Sequence, residues 1–294
     1  MTDSTTAARD NIMDVPQPLL QGLSALITGS ASGLRGSLRR VGKAGIGYHT
    51  ACAFAKHGVS RLALVDYDLP ALTASVDKLR GDWPETEFLP LEMDVRKPEQ
   101  VKDAFSKVIL QFGRLDVAVN NAGVIGHGTS THEESEDEWQ RVVDINLNGV
   151  FRCQKEEIAH MMRQTDLGAR RGRGTIVNVA SMYGIVGPPT PVHAASYAAA
   201  KHGVMGLTKA DANAYADSHI RVNAICPGYT ATKLLEGPPN GEAHSHLRDH
   251  IARTPMKRMA MPDEVADSIV FLASSMSSFM HGAALIVDGG FTSN

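Results

Sequence analysis

The sequence predicts an α/β fold, a doubly wound seven-stranded parallel sheet with helices on both faces. Two observations predict it. Seven short runs of β-branched and apolar residues alternate with longer stretches of helical periodicity, and strands linked through helices pair in parallel and are covered on both sides. The first run also leads straight into a glycine-rich stretch, Thr28-Gly29-Ser30-Ala31-Ser32-Gly33, of the kind that turns a strand into a helix beneath a bound phosphate.

In chain order, residues 1–21 hold Asp3, Asp10 and Asp14 and no apolar run, so they are expected to be a flexible polar tail ahead of one domain over 22–294. Strands are expected at 25–27, 61–65, 87–91, 116–119, 175–179, 221–225 and 284–287. Helical periodicity marks 48–57, 98–112, 135–162, 196–216 and 262–274. The long helix from 135 has a clear start: Ser135 can cap it, and Glu136, Asp137 and Glu138 lie at the positive end of its dipole. That acidic cluster is read as capping rather than as a metal or substrate site. Arg170, Arg171 and Arg173 fall in a solvated loop before the fifth strand.

Composition narrows the function classes. A net charge of -3 gives no reason to expect a nucleic-acid partner or an anionic membrane surface. The 43% apolar content suffices for a packed core and excludes disorder as the main state. Three widely spaced cysteines, Cys52, Cys153 and Cys226, read as reduced thiols. No run approaches the roughly 20 apolar residues of a membrane span. A soluble cytoplasmic protein is expected.

The glycine-rich stretch has a second piece, Gly45-Ile46-Gly47, at the head of the helix from 48. Together the pieces resemble the Thr-Gly-x-x-x-Gly-x-Gly turn of the short-chain dehydrogenase/reductase (SDR) family. That turn lets the backbone approach a pyrophosphate and sets the charge against free amides at a helix N-terminus. The family pattern places its last glycine six positions after the first, whereas Gly47 lies eighteen after Gly29, so twelve residues near 33–45 are extra. They include Arg35, Arg39, Arg40 and Lys43 and no acid. Three readings are open: a surface loop that leaves the turn intact, a basic clamp on cofactor phosphates, or a stretch absent from the working protein. Further on, Asp66 ends the second strand, where an acid accepts hydrogen bonds from a free ribose and repels a 2′-phosphate, favouring NAD over NADP. The resemblance assigns Asp94 and Val95 to the adenine, and Asn120-Asn121-Ala122-Gly123 to close passage of the backbone by the cofactor, with Asn side chains bracing neighbouring strands.

Tyr197 and Lys201 stand four apart, on one helical face. They open a helix after the fifth strand, which ends in Asn178-Val179-Ala180-Ser181. With Asn146, these look like the family's Asn-Ser-Tyr-Lys tetrad. Hydride can leave an alcohol carbon only as the hydroxyl proton is taken, and a free phenol with a pKa of about 10 is a poor base at neutral pH. The resemblance therefore implies Tyr197 as general acid/base, with Lys201 and the cationic nicotinamide lowering its pKa. It implies Ser181 as partner of the substrate oxygen, Lys201 as holder of the nicotinamide ribose, and Asn146 as ligand of a water linking Lys201 to solvent. Pro227-Gly228-Tyr229-Thr230-Ala231-Thr232 resembles the carboxamide motif, with Thr232 giving its hydroxyl and Thr230 its main chain.

The expected activity is hydride transfer between NAD(H) and a small-molecule carbonyl or secondary alcohol. The alternatives are an NADP(H)-dependent ketoreductase and a dinucleotide-binding protein impaired by the interrupted turn. The segments after Ser181 and after the carboxamide motif (182–193 and 234–254) name no ligand, although Met182, Tyr183, Ile185 and Val186 suggest a partly apolar pocket. His244, His246 and His250 are read as ordinary lid residues, with no metal site. A homodimer or homotetramer through the two long helices is expected.

Overall fold

The computed structural model describes residues 18–31, 44–232, 235 and 243–293. Of the tail expected over 1–21, residues 1–17 lie outside the described residues, as does the segment 32–43, which includes Gly33 and the four extra cations; Leu20, within the expected tail, is instead fully buried in the core and donates its N–H to His57 O at 3.0 Å. The strands are β1 (Ser24–Thr28), β2 (Arg61–Asp66), β3 (Glu87–Glu92), β4 (Val117–Asn120), β5 (Gly174–Val179), β6 (Ile220–Pro227) and β7 (Ala284–Val287). The helices are α1 (Ile46–Lys56), α2 (Leu69–Asp82), α3 (Pro98–Phe112), α4 (Glu136–Val143), α5 (Gly149–Met161), α6 (Ala195–Tyr215), α7 (Ala243–Arg253) and α8 (Pro262–Ala273).

One sheet runs β3-β2-β1-β4-β5-β6-β7, parallel throughout. β1, β4 and β5 are buried along their whole length, which explains why they read as unbroken apolar runs rather than alternating ones. Side-chain alternation divides the core in two. Ala25 and Ile27 join Phe54 of α1 and Val265 and Ile269 of α8 on one face. Leu26 joins Phe105 and Val108 of α3 and Cys153 and Met161 of α5 on the other. Strand order reverses between β1 and β4, so a crevice opens at their carboxyl ends, the place where open sheets of this type bind ligands.

Two helices and one interruption go beyond the sequence expectation. α2 is capped by Asp68, whose Oδ1 accepts Ala71 N at 3.1 Å, and it buries only Leu72, Ser75, Val76 and Leu79. α7 occupies part of the segment read as a lid. The single helix expected over 135–162 is α4, a π-helical segment Asp144–Asn148, and α5. Its start is as expected, since Ser135 Oγ accepts Glu138 N at 3.2 Å. Cys52, Cys153 and Cys226 are free thiols. Among the described residues no helix is long and apolar enough to cross a membrane.

Candidate active site

The two halves of the glycine turn meet. Gly29, at φ +70°, follows β1, and a Cβ there would lie 2.8 Å from Ala122 Cα. A Cβ on Gly47 would collide with the Gly29 carbonyl oxygen and sit 2.6 Å from Asn121 Nδ2. Asn121 closes this junction by donating Nδ2 to Thr28 O (2.9 Å) and Gly29 O (3.0 Å). Thr28 Oγ1 in turn accepts Asn121 N and Ala122 N, each at 3.0 Å. Gly45 precedes α1 without a side-chain cap, and the helix has no acid in its first turn. Among the described residues no side chain caps its amide end, beside Ile46, where an anion can be held.

Beside this cradle, Asp66 Oδ2 accepts Ala31 N at 2.8 Å and Oδ1 accepts Asp68 N at 3.2 Å. Burial raises its carboxyl above the usual range, while the amides of Ala31, Asp68 and Tyr67 pull the other way. Asp94 is clasped by Arg96, whose Nη2 donates to Oδ2 at 2.6 Å, and this hydrogen bonding holds the carboxyl below its usual range. Val95 packs at Gly149, where a Cβ would come within 2.8 Å of it.

Across the crevice, Lys201 Nζ donates to Val179 O at 2.7 Å and lies 5.6 Å from the Tyr197 ring centroid. Asn146 sits in the π-helical segment, fully buried. Its Nδ2 donates to Val124 O and Val142 O, both at 2.9 Å, and its Oδ1 accepts Val124 N at 3.1 Å. Gly123 marks the convergence, since a Cβ there would be 2.8 Å from Asn146 Oδ1 and 3.7 Å from Lys201 Nζ. Ser181 ends the strand segment, and its Oγ accepts Tyr183 N at 3.1 Å. Thr230 is buried, with Oγ1 donating to Gly228 O at 3.1 Å, and Thr232 is half-buried. All four tetrad residues, both threonines, and Gly29, Gly45, Ile46, Asp66, Asp94, Val95, Asn121, Ala122 and Gly123 line one cleft of about 1060 Å³. Gly47 is buried behind it.

Residues 41–292 match the family model described as enoyl-(acyl carrier protein) reductase. A 3-oxoacyl-(acyl-carrier-protein) reductase of Thermotoga maritima is 36% identical over 92% of this chain and 98% of its own. A cyclohexanol dehydrogenase of an Acinetobacter species is 36% identical, covering 92% and 94%. A short-chain dehydrogenase/reductase structure from Mycobacterium marinum superposes with a TM-score of 0.81 at 32% identity, over 95% of this chain and 98% of the other. The chain belongs to the short-chain dehydrogenase/reductase family. It is an NAD(P)-dependent oxidoreductase acting between CH–OH and C=O groups.

Two further features describe the surroundings of the SDR tetrad. The Asn146 carboxamide hydrogen-bonds backbone and braces the loop carrying Gly123 and Val124, with one lone pair of Oδ1 used by Val124 N. The protein by itself also raises the Tyr197 phenol through burial, with the Ser181 hydroxyl opposing. Lys201 is lowered to about 8 because its ammonium is buried too. In the chain alone burial is the largest influence on both groups.

Two features of the site region have no motif to announce them, and a third carries out a role a motif implies. The Tyr183 and Tyr229 hydroxyls meet at 2.7 Å in the cleft wall. Ser196 Oγ, next to Tyr197, donates to Glu134 Oε1 at 2.6 Å. Beneath the sheet ends, Asn120 Nδ2 donates to Glu157 Oε2 and to Asn178 Oδ1, each at 3.0 Å. That bracing of β4 against β5 is the kind the Asn-Asn-Ala-Gly resemblance implies.

The donor set fits a nicotinamide dinucleotide. Gly29 and Gly47 leave a bare cradle that a Cβ would fill, an uncapped helix end adjoins it, and a buried carboxylate closes one side of the cleft.

Proposed function

We propose that this chain transfers hydride between NAD(H) and a secondary alcohol or carbonyl, with Tyr197 as the general acid/base. The observation that carries the reading is the convergence of Ser181, Tyr197 and Lys201 on one cleft with the glycine cradle. The bound nicotinamide supplies or accepts the hydride. Tyr197 gives its phenolic proton to the carbonyl oxygen in reduction and takes the alcohol proton in oxidation. Ser181 Oγ holds that oxygen as charge develops on it. Lys201, buried beside the phenol, stabilises the phenolate and reaches the ribose. Thr230 and Thr232 orient the carboxamide.

Asp66 supports NAD over NADP, because a carboxylate accepts from ribose hydroxyls and repels a 2′-phosphate. Arg96, a cation lining the same cleft, is tied to Asp94. Asp94 and Val95 border the adenine. The close approach of Gly29 and Gly47 supports a cofactor turn that closes although its two glycines lie eighteen positions apart in sequence. The half-exposed Trp139 of α4 and Phe151 of α5 support a homodimer or homotetramer through these helices.

Tyr197→Phe tests the mechanism. The expected outcome is a fall in kcat of at least about a hundredfold, with NADH affinity held within about twofold; turnover at the parent's rate would overturn the role of Tyr197.

A further inference from the structure

We propose that the paired hydroxyls of Tyr183 and Tyr229 form a subsite for a second oxygen of the substrate, so that the preferred ketone is a compact, uncharged, mostly apolar molecule bearing a further hydroxyl or carbonyl. The proposal rests on the catalytic reading of Tyr197 and concerns what lies beyond the reacting carbon.

Both phenols are at least nine-tenths buried, yet both line the cleft with Ser181 and Tyr197. Their oxygens are 2.7 Å apart, and Tyr183 is within electrostatic reach of Tyr197. In such a pair one hydroxyl donates to the other, whose own proton is left without a partner among the described residues. A buried donor without an acceptor carries a desolvation penalty. A substrate oxygen placed against the pair removes that cost.

The rings are held firmly enough to select. Tyr183, Tyr229 and Phe291 stand edge to face, with centroids 6.4, 6.3 and 5.7 Å apart. Around them the wall is apolar: Met182, Val192, Leu235 and Leu247. Arg141, toward the rim of the cleft, is already occupied by Glu138, with Nε and Nη2 donating at 2.6 and 2.7 Å. Among the described residues of this wall the arginine is already paired, whereas a neutral oxygen finds the phenols. Apolar flesh with one extra oxygen is the chemistry the wall accepts.

The test compares cyclohexanone with the cyclohexanediones and hydroxycyclohexanones, with NADH, in the parent, in Tyr183→Phe, in Tyr229→Phe and in the double variant. The readout is the ratio of kcat/KM for the best oxygenated ketone to that for cyclohexanone. A site built to hydrogen-bond an oxygen discriminates strongly against an analogue lacking it, so the parent ratio is expected to be about tenfold or more, carried mainly by KM. Each single variant is expected to keep part of it, because the surviving hydroxyl loses its partner and can still donate. The double variant keeps all three rings and is expected to bring the ratio within about twofold of one. A parent ratio near one, or a double variant with the parent's ratio, would overturn the subsite while leaving Tyr197 untouched. No turnover with any of these ketones would overturn the substrate class. Parent-level turnover of them by Tyr197→Phe would overturn the catalytic reading instead.

Discussion

Glu157 is fully buried on α5, and its position makes a measurable demand on the protein. Its Oε2 accepts Asn120 Nδ2, while Glu157 Oε1 and Asn120 Oδ1 are both buried without a hydrogen-bond partner. Burial lifts the carboxyl from 4.5 to about 8. A proton there removes a buried charge and turns one orphaned acceptor into a donor. The folded pKa lies above the unfolded one, so the stability linked to this proton is complete below about pH 4.5 and is lost as pH rises through about 8. In the limit the loss is about 5 kcal/mol, and less after local relaxation. Glu157→Gln, neutral at every pH, is expected to melt at a temperature independent of pH over that window, while the parent declines; parallel declines would place the titration elsewhere. The residues of the tetrad were legible in the sequence because their spacing carries them. Glu157 and the Tyr183–Tyr229 pair were not, since each depends on a partner 37 or 46 positions away.

At the scale of elements, the glycine turn, α1 and the Asn121 loop act as one joint. Gly47→Ala is expected to weaken NADH binding by more than about tenfold and to cost about 1–3 kcal/mol, because the new methyl meets the Gly29 carbonyl and Asn121 Nδ2. Titration and urea unfolding of that variant check this; parent-level affinity would show that the halves do not close on each other. Strong apolar runs made every strand visible, and Ser135 announced the start of α4. α2 stayed hidden because Leu72, Val76 and Leu79 are its only buried large apolar residues, a narrow stripe. α7 stayed hidden because its sequence, AHSHLRDHIAR, is mostly polar. Periodicity ran unbroken through α4 and α5, since a π-helical insertion shifts the hydrogen bonds without a residue that marks it. That segment presents Asn146 to the loop 123–124.

For the whole molecule, parallel order alone places the chemistry. The crevice between β1 and β4 collects the cradle from β1 and α1, Asp66 from β2, Gly123 from the end of β4, Ser181 beyond β5 and Thr230 beyond β6. Nothing in local propensity dictates that convergence; it follows from strand order and the right-handed crossovers that parallel pairing requires. The central claim is that this chain, with the residues between Ala31 and Ala44 present, forms a working NAD site. Fluorescence titration of the full-length protein with NADH and NADPH, beside a version lacking residues 33–44, tests it most directly. The account predicts that the full chain binds NADH at least about tenfold more tightly than NADPH, with the shortened form no tighter. Preference for NADPH, or NADH binding that appears only after the deletion, would contradict it.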